Sequence, residues 1–76
     1  MKAKVLVIGA NGQLGSVLVK ELQQHHGLDN VVASDLKKAI NFVGTFEVLD
    51  ATNRIHLSDV VSKYGITQIY HLAAIL

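Results

Sequence analysis

Gly9-Ala10-Asn11-Gly12-Gln13-Leu14-Gly15 joins an apolar run to an amphipathic one, and the reading of these seven residues decides the fold. Upstream, Ala3 to Ile8 (AKVLVI) is short, β-branched and almost continuously apolar, the pattern of a strand buried on both faces rather than one. Downstream, Leu14, Val17, Leu18 and Leu22 recur at helical spacing with Lys20, Glu21, Gln23 and Gln24 between them, which predicts a helix resting on those four residues. His25 and His26 fall in its last turn, where positive charge suits the dipole, and Gly27 is expected to end it in a left-handed conformation. In this strand–turn–helix setting each glycine has a task. Gly9 permits the tight turn, Gly12 lets a pyrophosphate approach the backbone, and Gly15 allows close packing of helix on strand. The free N–H groups of the following helix then face the phosphates. The spacing is G-x-x-G-x-x-G, and no Gly-Lys-Ser/Thr follows, which excludes a Walker-type phosphate loop.

The pattern repeats in looser form. Asn30 to Ser34 reads as a second strand ending at Asp35, residues 36 to 45 as a loop with one helical turn around Lys37 to Ile40, and Phe46 to Leu49 as a third strand. Thr52 or Asn53 can cap a second helix whose Leu57, Val60, Val61 and Tyr64 share one face and which Gly65 closes. Ile66 to Leu72 is expected to form a fourth strand. Strands separated by crossovers pair in parallel, and right-handed crossovers give the order 3-2-1-4. The expectation is a single partial Rossmann domain over residues 1–76, an α/β unit of about four parallel strands with helices on its faces.

Asp35 lies twenty residues after Gly15, at the carboxyl end of the second strand. A carboxylate there can accept from the adenine ribose hydroxyls and would repel a 2′-phosphate, which favours NAD over NADP. Lys37 and Lys38 are the counterweight, and capping of the loop is the competing role for Asp35. Asp50 ends the third strand and His71 to Ala74 end the fourth, so all four strands deliver polar or small residues to the carboxyl edge, where open α/β sheets bind ligands. Helix capping by Asp50 and tight packing of the alanines are compatible alternatives.

Composition narrows the remaining classes. The chain has no cysteine, and its four histidines lack the spacing of a helical metal site, so no metal is expected. A net charge of +1 argues against nucleic acid held by charge, and no apolar run approaches the roughly 18 residues of a membrane span. A soluble, cytoplasmic protein is expected. The fourth strand, with no proline or charge between Ile66 and Tyr70, would present a bare edge able to pair with a second copy.

The strings GANGQLG (9–15), SDL (34–36), FEVLDAT (46–52) and YGITQIYHLAAIL (64–76) resemble the N-terminal part of the extended short-chain dehydrogenases, the NAD-dependent epimerase/dehydratase superfamily, and within it the short-chain type of L-threonine 3-dehydrogenase. The resemblance implies that Gly9, Gly12 and Gly15 hold the pyrophosphate with help from the backbone of Gln13 and Leu14. It implies that Asp35 takes the adenine ribose, that Asp50 and Ala51 meet the adenine, and that Leu72, Ala73 and Ala74 line the path to the nicotinamide ribose. It also implies hydride transfer assisted by a Tyr-x-x-x-Lys pair. Here Gln68 stands four residues after Tyr64 and Ala74 four after Tyr70, so catalytic residues and substrate lobe are expected beyond Leu76. The same residues would suit the equivalent part of a sugar-nucleotide epimerase or dehydratase, or a free-standing or engineered nucleotide-binding module without catalysis.

Overall fold

The structure, a computed structural model, describes residues 3–72. Its elements run β1 (Val5–Ile8), α1 (Gln13–His26), β2 (Val31–Asp35), β3 (Thr45–Val48), α2 (Arg54–Tyr64) and β4 (Gln68–His71), with a 3-10 turn at Leu28–Asn30. The four strands form one sheet of order β3-β2-β1-β4 in which every pairing is parallel, as the alternation of strands and crossovers predicts. Val5, Val7 and Ile8 of β1 align with Val31, Ala33 and Ser34 of β2 on one side and with Gln68, Tyr70 and His71 of β4 on the other.

Side-chain alternation along β1 and β2 gives the sheet a core on each face. Val5, Val7, Val31 and Ala33 pack with Val19 and Leu22 of α1, joined by Phe42 and Phe46. Leu6, Ile8 and Val32 pack on the opposite face with Leu49 and with Val60 of α2, joined by Leu57, Val61 and Tyr64. The predicted face of α2 is therefore the observed one. The one polar side chain buried in the described core, Ser34, donates its hydroxyl to the Val7 carbonyl at 2.8 Å, so its burial leaves no unmet hydrogen bond.

The face of α1 is the expected one at Leu22, which is buried, and at Leu18, which packs partly buried on the core, and differs nearer its start. Leu14 and Val17 are 65% and 60% exposed, while Gly15, Val19 and Leu22 are buried. The cause is Gly15. A Cβ there would overlap the Gly9 carbonyl oxygen and lie 2.9 Å from the Ala10 Cα, so the glycine is the point at which the helix touches the strand–turn junction. That contact rotates the apolar pair Leu14 and Val17 away from the sheet.

Three further departures are local. Gly27 has positive φ but an extended ψ (92°, 151°) rather than the left-handed helical conformation, and its N–H bonds the Gln23 carbonyl. Residues 36–44 contain no helical turn. A tight turn at Ile40-Asn41, with Asn41 at φ 59°, reverses the chain there, and the Gln23 side chain ties the segment to α1 by donating to the Val43 carbonyl. β4 is shorter than the apolar run that announced it, because Thr67 is held at the mouth of the sheet by bonds to Lys4 in both directions. Gly65 closes α2 in the left-handed conformation as expected.

Candidate functional site

The carboxyl ends of the strands gather into a cleft of about 330 Å³ lined by Ile8, Gly9, Asp35, Leu36, Leu49, Asp50, Ala51, Thr52 and His71. β1 supplies the turn at Gly9, β2 supplies Asp35, the β3–α2 connection supplies Asp50 to Thr52, and β4 supplies His71. Gly9 has φ 90°, a backbone conformation open to glycine and costly for other residues. Its N–H and that of Ala10 both donate to the Ser34 carbonyl at 3.0 Å, which fastens the glycine turn to the end of β2 and places it beside Asp35.

Asp35 is held from two sides. Its Oδ2 accepts from the Asn11 N–H at 3.0 Å and its Oδ1 from the Leu36 N–H at 2.8 Å. The loop-capping role is thus real, and each carboxylate oxygen keeps a further lone pair for a ligand hydroxyl. Asp50 accepts at Oδ1 from the Thr52 hydroxyl (2.6 Å) and the Thr52 N–H (2.9 Å). The hydroxyl bond first and the amide bond second hold its carboxyl below the usual carboxylate range. Asp50 therefore braces a turn, and the capping of α2 falls to Asn53, whose Oδ1 accepts from the His56 N–H at 3.1 Å.

Asp35 and Asp50 are the charged residues of this lining, and neither Lys37 nor Lys38 belongs to it. Beside the cleft, the first turn of α1 carries Gln13 and Leu14, both exposed, and no side chain caps it. A larger concavity of about 440 Å³ lies between α1 and residues 39–43, reaches Ala10 and Asn11 of the glycine turn, and lacks the converging carboxylates.

The cleft unites Gly9, Asp35, Asp50 and Ala51 among the residues singled out in the sequence. Gly12, Gln13, Leu14 and Gly15 sit on the adjoining turn and helix start rather than in the lining. Leu72 packs partly buried against the core on the α1 face, and Ala73 and Ala74 lie outside the described residues. Thr52 and His71, expected at the carboxyl edge without an assigned contact, also line the cleft, whereas Asn11 was not anticipated as a site residue. Only a polar side chain next to a glycine turn could have signalled Asn11, and such residues are common in loops. Among the described residues no group of three His, Cys, Asp or Glu could hold a metal, and no helix is long and apolar enough to cross a membrane.

Residues 5–76 match the NAD dependent epimerase/dehydratase family. A curated relative from Staphylococcus epidermidis, described as an uncharacterized epimerase/dehydratase, is 35% identical over 96% of this chain and 24% of its own length. Among solved structures, L-threonine dehydrogenase from Clostridium difficile superposes with a TM-score of 0.87 at 35% identity, over 93% of this chain and 24% of that one. The holo form of a GalE-like L-threonine dehydrogenase from Cupriavidus necator superposes at 0.86 with 46% identity, over 91% and 23%. The chain spans about a quarter of the length of these relatives.

Proposed function

The chain belongs to the NAD dependent epimerase/dehydratase family, and from that premise we propose that it is the NAD-binding portion of an oxidoreductase of the L-threonine 3-dehydrogenase kind, whose reaction moves hydride from the threonine 3-hydroxyl to NAD. The observation that carries this reading is Gly12. Gly9 is required by its positive φ and Gly15 by its packing, but Gly12 has φ −67° and ψ 168°, open to any residue, and a Cβ there would meet only the Gly9 oxygen at 3.9 Å. The fold itself does not need that glycine. An outside group approaching the backbone at an uncapped helix start does, and a pyrophosphate suits the partial positive charge there.

The remaining residues take the other parts of the ligand. Asp35 accepts from the adenine ribose hydroxyls, Asp50 and Ala51 border the adenine, and Gln13 and Leu14 offer backbone N–H groups; the part of Leu72, Ala73 and Ala74 toward the nicotinamide ribose is what the family resemblance implies. The cleft's volume is at the lower end of the roughly 300–1,000 Å³ usual for small-molecule sites, which fits the adenosine half of a dinucleotide. When bound, NAD supplies the hydride acceptor. The chain contributes binding and orientation, and with no Tyr-x-x-x-Lys pair in its sequence it turns over no alcohol alone. We place it in the cytoplasm, paired with a second copy through the outer edge of β4.

Isothermal titration with NAD and with NADP tests the reading. NAD is expected to bind measurably and the more tightly, because a carboxylate beside a 2′-phosphate costs about 1 kcal/mol or more at contact even in water. Absence of binding, or a preference for NADP, overturns it. The rival is the corresponding portion of a sugar-nucleotide epimerase or dehydratase, favoured by the description of the staphylococcal relative. It would bind NAD in the same way, and the substrate that promotes turnover of bound NAD in the complete enzyme separates the two.

A further inference from the structure

Asn11 makes two bonds that no other residue of the glycine turn makes. Its N–H donates to Asp35 Oδ2 at 3.0 Å, and its side-chain amide donates to the Lys37 carbonyl at 2.7 Å. The first bond orients the carboxylate that faces the cleft. The second crosses from the glycine turn to the segment after β2 and pins the backbone at the first of two adjacent lysines. With that backbone pinned, Lys37 and Lys38 are exposed and outside the cleft, whose charged lining is Asp35 and Asp50.

We infer that Asn11 is a specificity-determining residue, one that sets the discrimination between NAD and NADP by keeping the lysines away from the ribose 2′ position. The inference rests on the NAD-binding reading above and adds the residue that enforces it. Asp35 alone repels a 2′-phosphate, but two cations on a free segment would attract it, and the balance depends on which charges can reach the ribose. The amide of Asn11 settles that balance mechanically. Its backbone bond to Asp35 survives replacement of the side chain, so removal of the amide releases the lysines and leaves the carboxylate oriented.

The test uses Asn11→Ala in the 76-residue chain, with NAD and NADP titrated in parallel and thermal unfolding as a check on folding. The ratio of the two dissociation constants is expected to shift toward NADP by about fivefold, the size of one solvent-screened contact between unit charges, with NAD affinity changing less. Adding Lys37→Ala and Lys38→Ala to Asn11→Ala is expected to restore the parent ratio. A purely structural role for Asn11 would weaken both cofactors together and would not be rescued by deleting lysines. A ratio unchanged in Asn11→Ala, or a changed ratio that the lysine substitutions do not restore, overturns the inference alone. A parent chain that binds neither cofactor overturns the NAD-binding reading and this inference with it.

Discussion

Gly15 presses against the backbone of Gly9 so closely that a methyl group in its place would overlap the Gly9 carbonyl oxygen. The neighbouring Gly12 has no such contact, so the two glycines separate stability from binding. Gly15→Ala is expected to destabilise the chain by about 1–3 kcal/mol, as overpacking of a close contact does. Gly12→Ala should stay within about 1 kcal/mol of the parent, the loss of a tolerated cap residue being offset by reduced chain entropy, while weakening NAD at least about tenfold. Urea denaturation and calorimetry on both variants check this. Equal stability losses would mean that the turn, and not a ligand, demands both glycines.

The Tyr64 hydroxyl donates to Glu47 Oε2 at 2.6 Å and joins α2 to the edge strand β3. This bond, with burial second, raises the Tyr64 pKa, and the charge of Glu47 raises that of Lys63 at 3.7 Å. A phenol with a raised folded pKa gives stability that is complete below its unfolded value near 10 and is lost as pH rises through the folded value. Tyr64→Phe should cost about 0.5–1.5 kcal/mol at neutral pH, and the difference from the parent should shrink above about pH 10. Urea melts across pH 7 to 11 read both effects; a pH-independent difference would exclude ionisation of Tyr64 as the cause.

Asp50 has the opposite sign. Its folded pKa is lowered by the two bonds from Thr52, so the stability it contributes is present above the ordinary carboxylate value and is lost as pH falls through the folded one. In a carbon-detected NMR titration Asp50 should titrate below the usual aspartate range, and Thr52→Val should move it upward. An unmoved midpoint would mean that the hydroxyl bond is not formed in solution.

All four residues of β4 are exposed, and β1 is the strand that pairs with it. The Gln68 N–H donates inward to the Lys4 carbonyl at 3.1 Å. Alternation along the strand therefore turns the Ile69 N–H to the open side, where a second copy can pair. Sedimentation equilibrium is expected to show a concentration-dependent dimer that Ile69→Pro abolishes. A parent chain that stays monomeric at high micromolar concentration would remove this proposal.

The sheet order, the two helical crossovers and the gathering of Asp35 and Asp50 at the carboxyl edge were legible because buried strands and glycine turns leave a strong local pattern. Leu18 and Leu22 of α1 were legible too, but the start of its face was not, since Leu14 and Val17 fit the apolar period as well as Val19 does, and only the contact of Gly15 with Gly9 chooses between them. Asn11 was missed for a related reason. Its role depends on a carboxylate and a carbonyl more than twenty residues away, and periodicity carries no trace of either. The helical turn expected at Lys37 to Ile40 gave way to the reversal at Asn41, whose left-handed backbone asparagine tolerates better than most residues.

The position of β1 also constrains the order of assembly. Its strand neighbours are β2 and β4, and Lys4 just ahead of it bonds Thr67, 63 residues along the chain. The β1–α1–β2 unit closes the shorter loop, and closure of the longer one comes at greater entropic cost. During synthesis β1 must wait for the segment 63 residues further along before its second edge is covered. The cleft, which takes His71 from β4 and Gly9 from the turn after β1, is completed only when that second edge is covered and is lost when β4 detaches, so ligand that spans it acts as a clasp between β1 and β4.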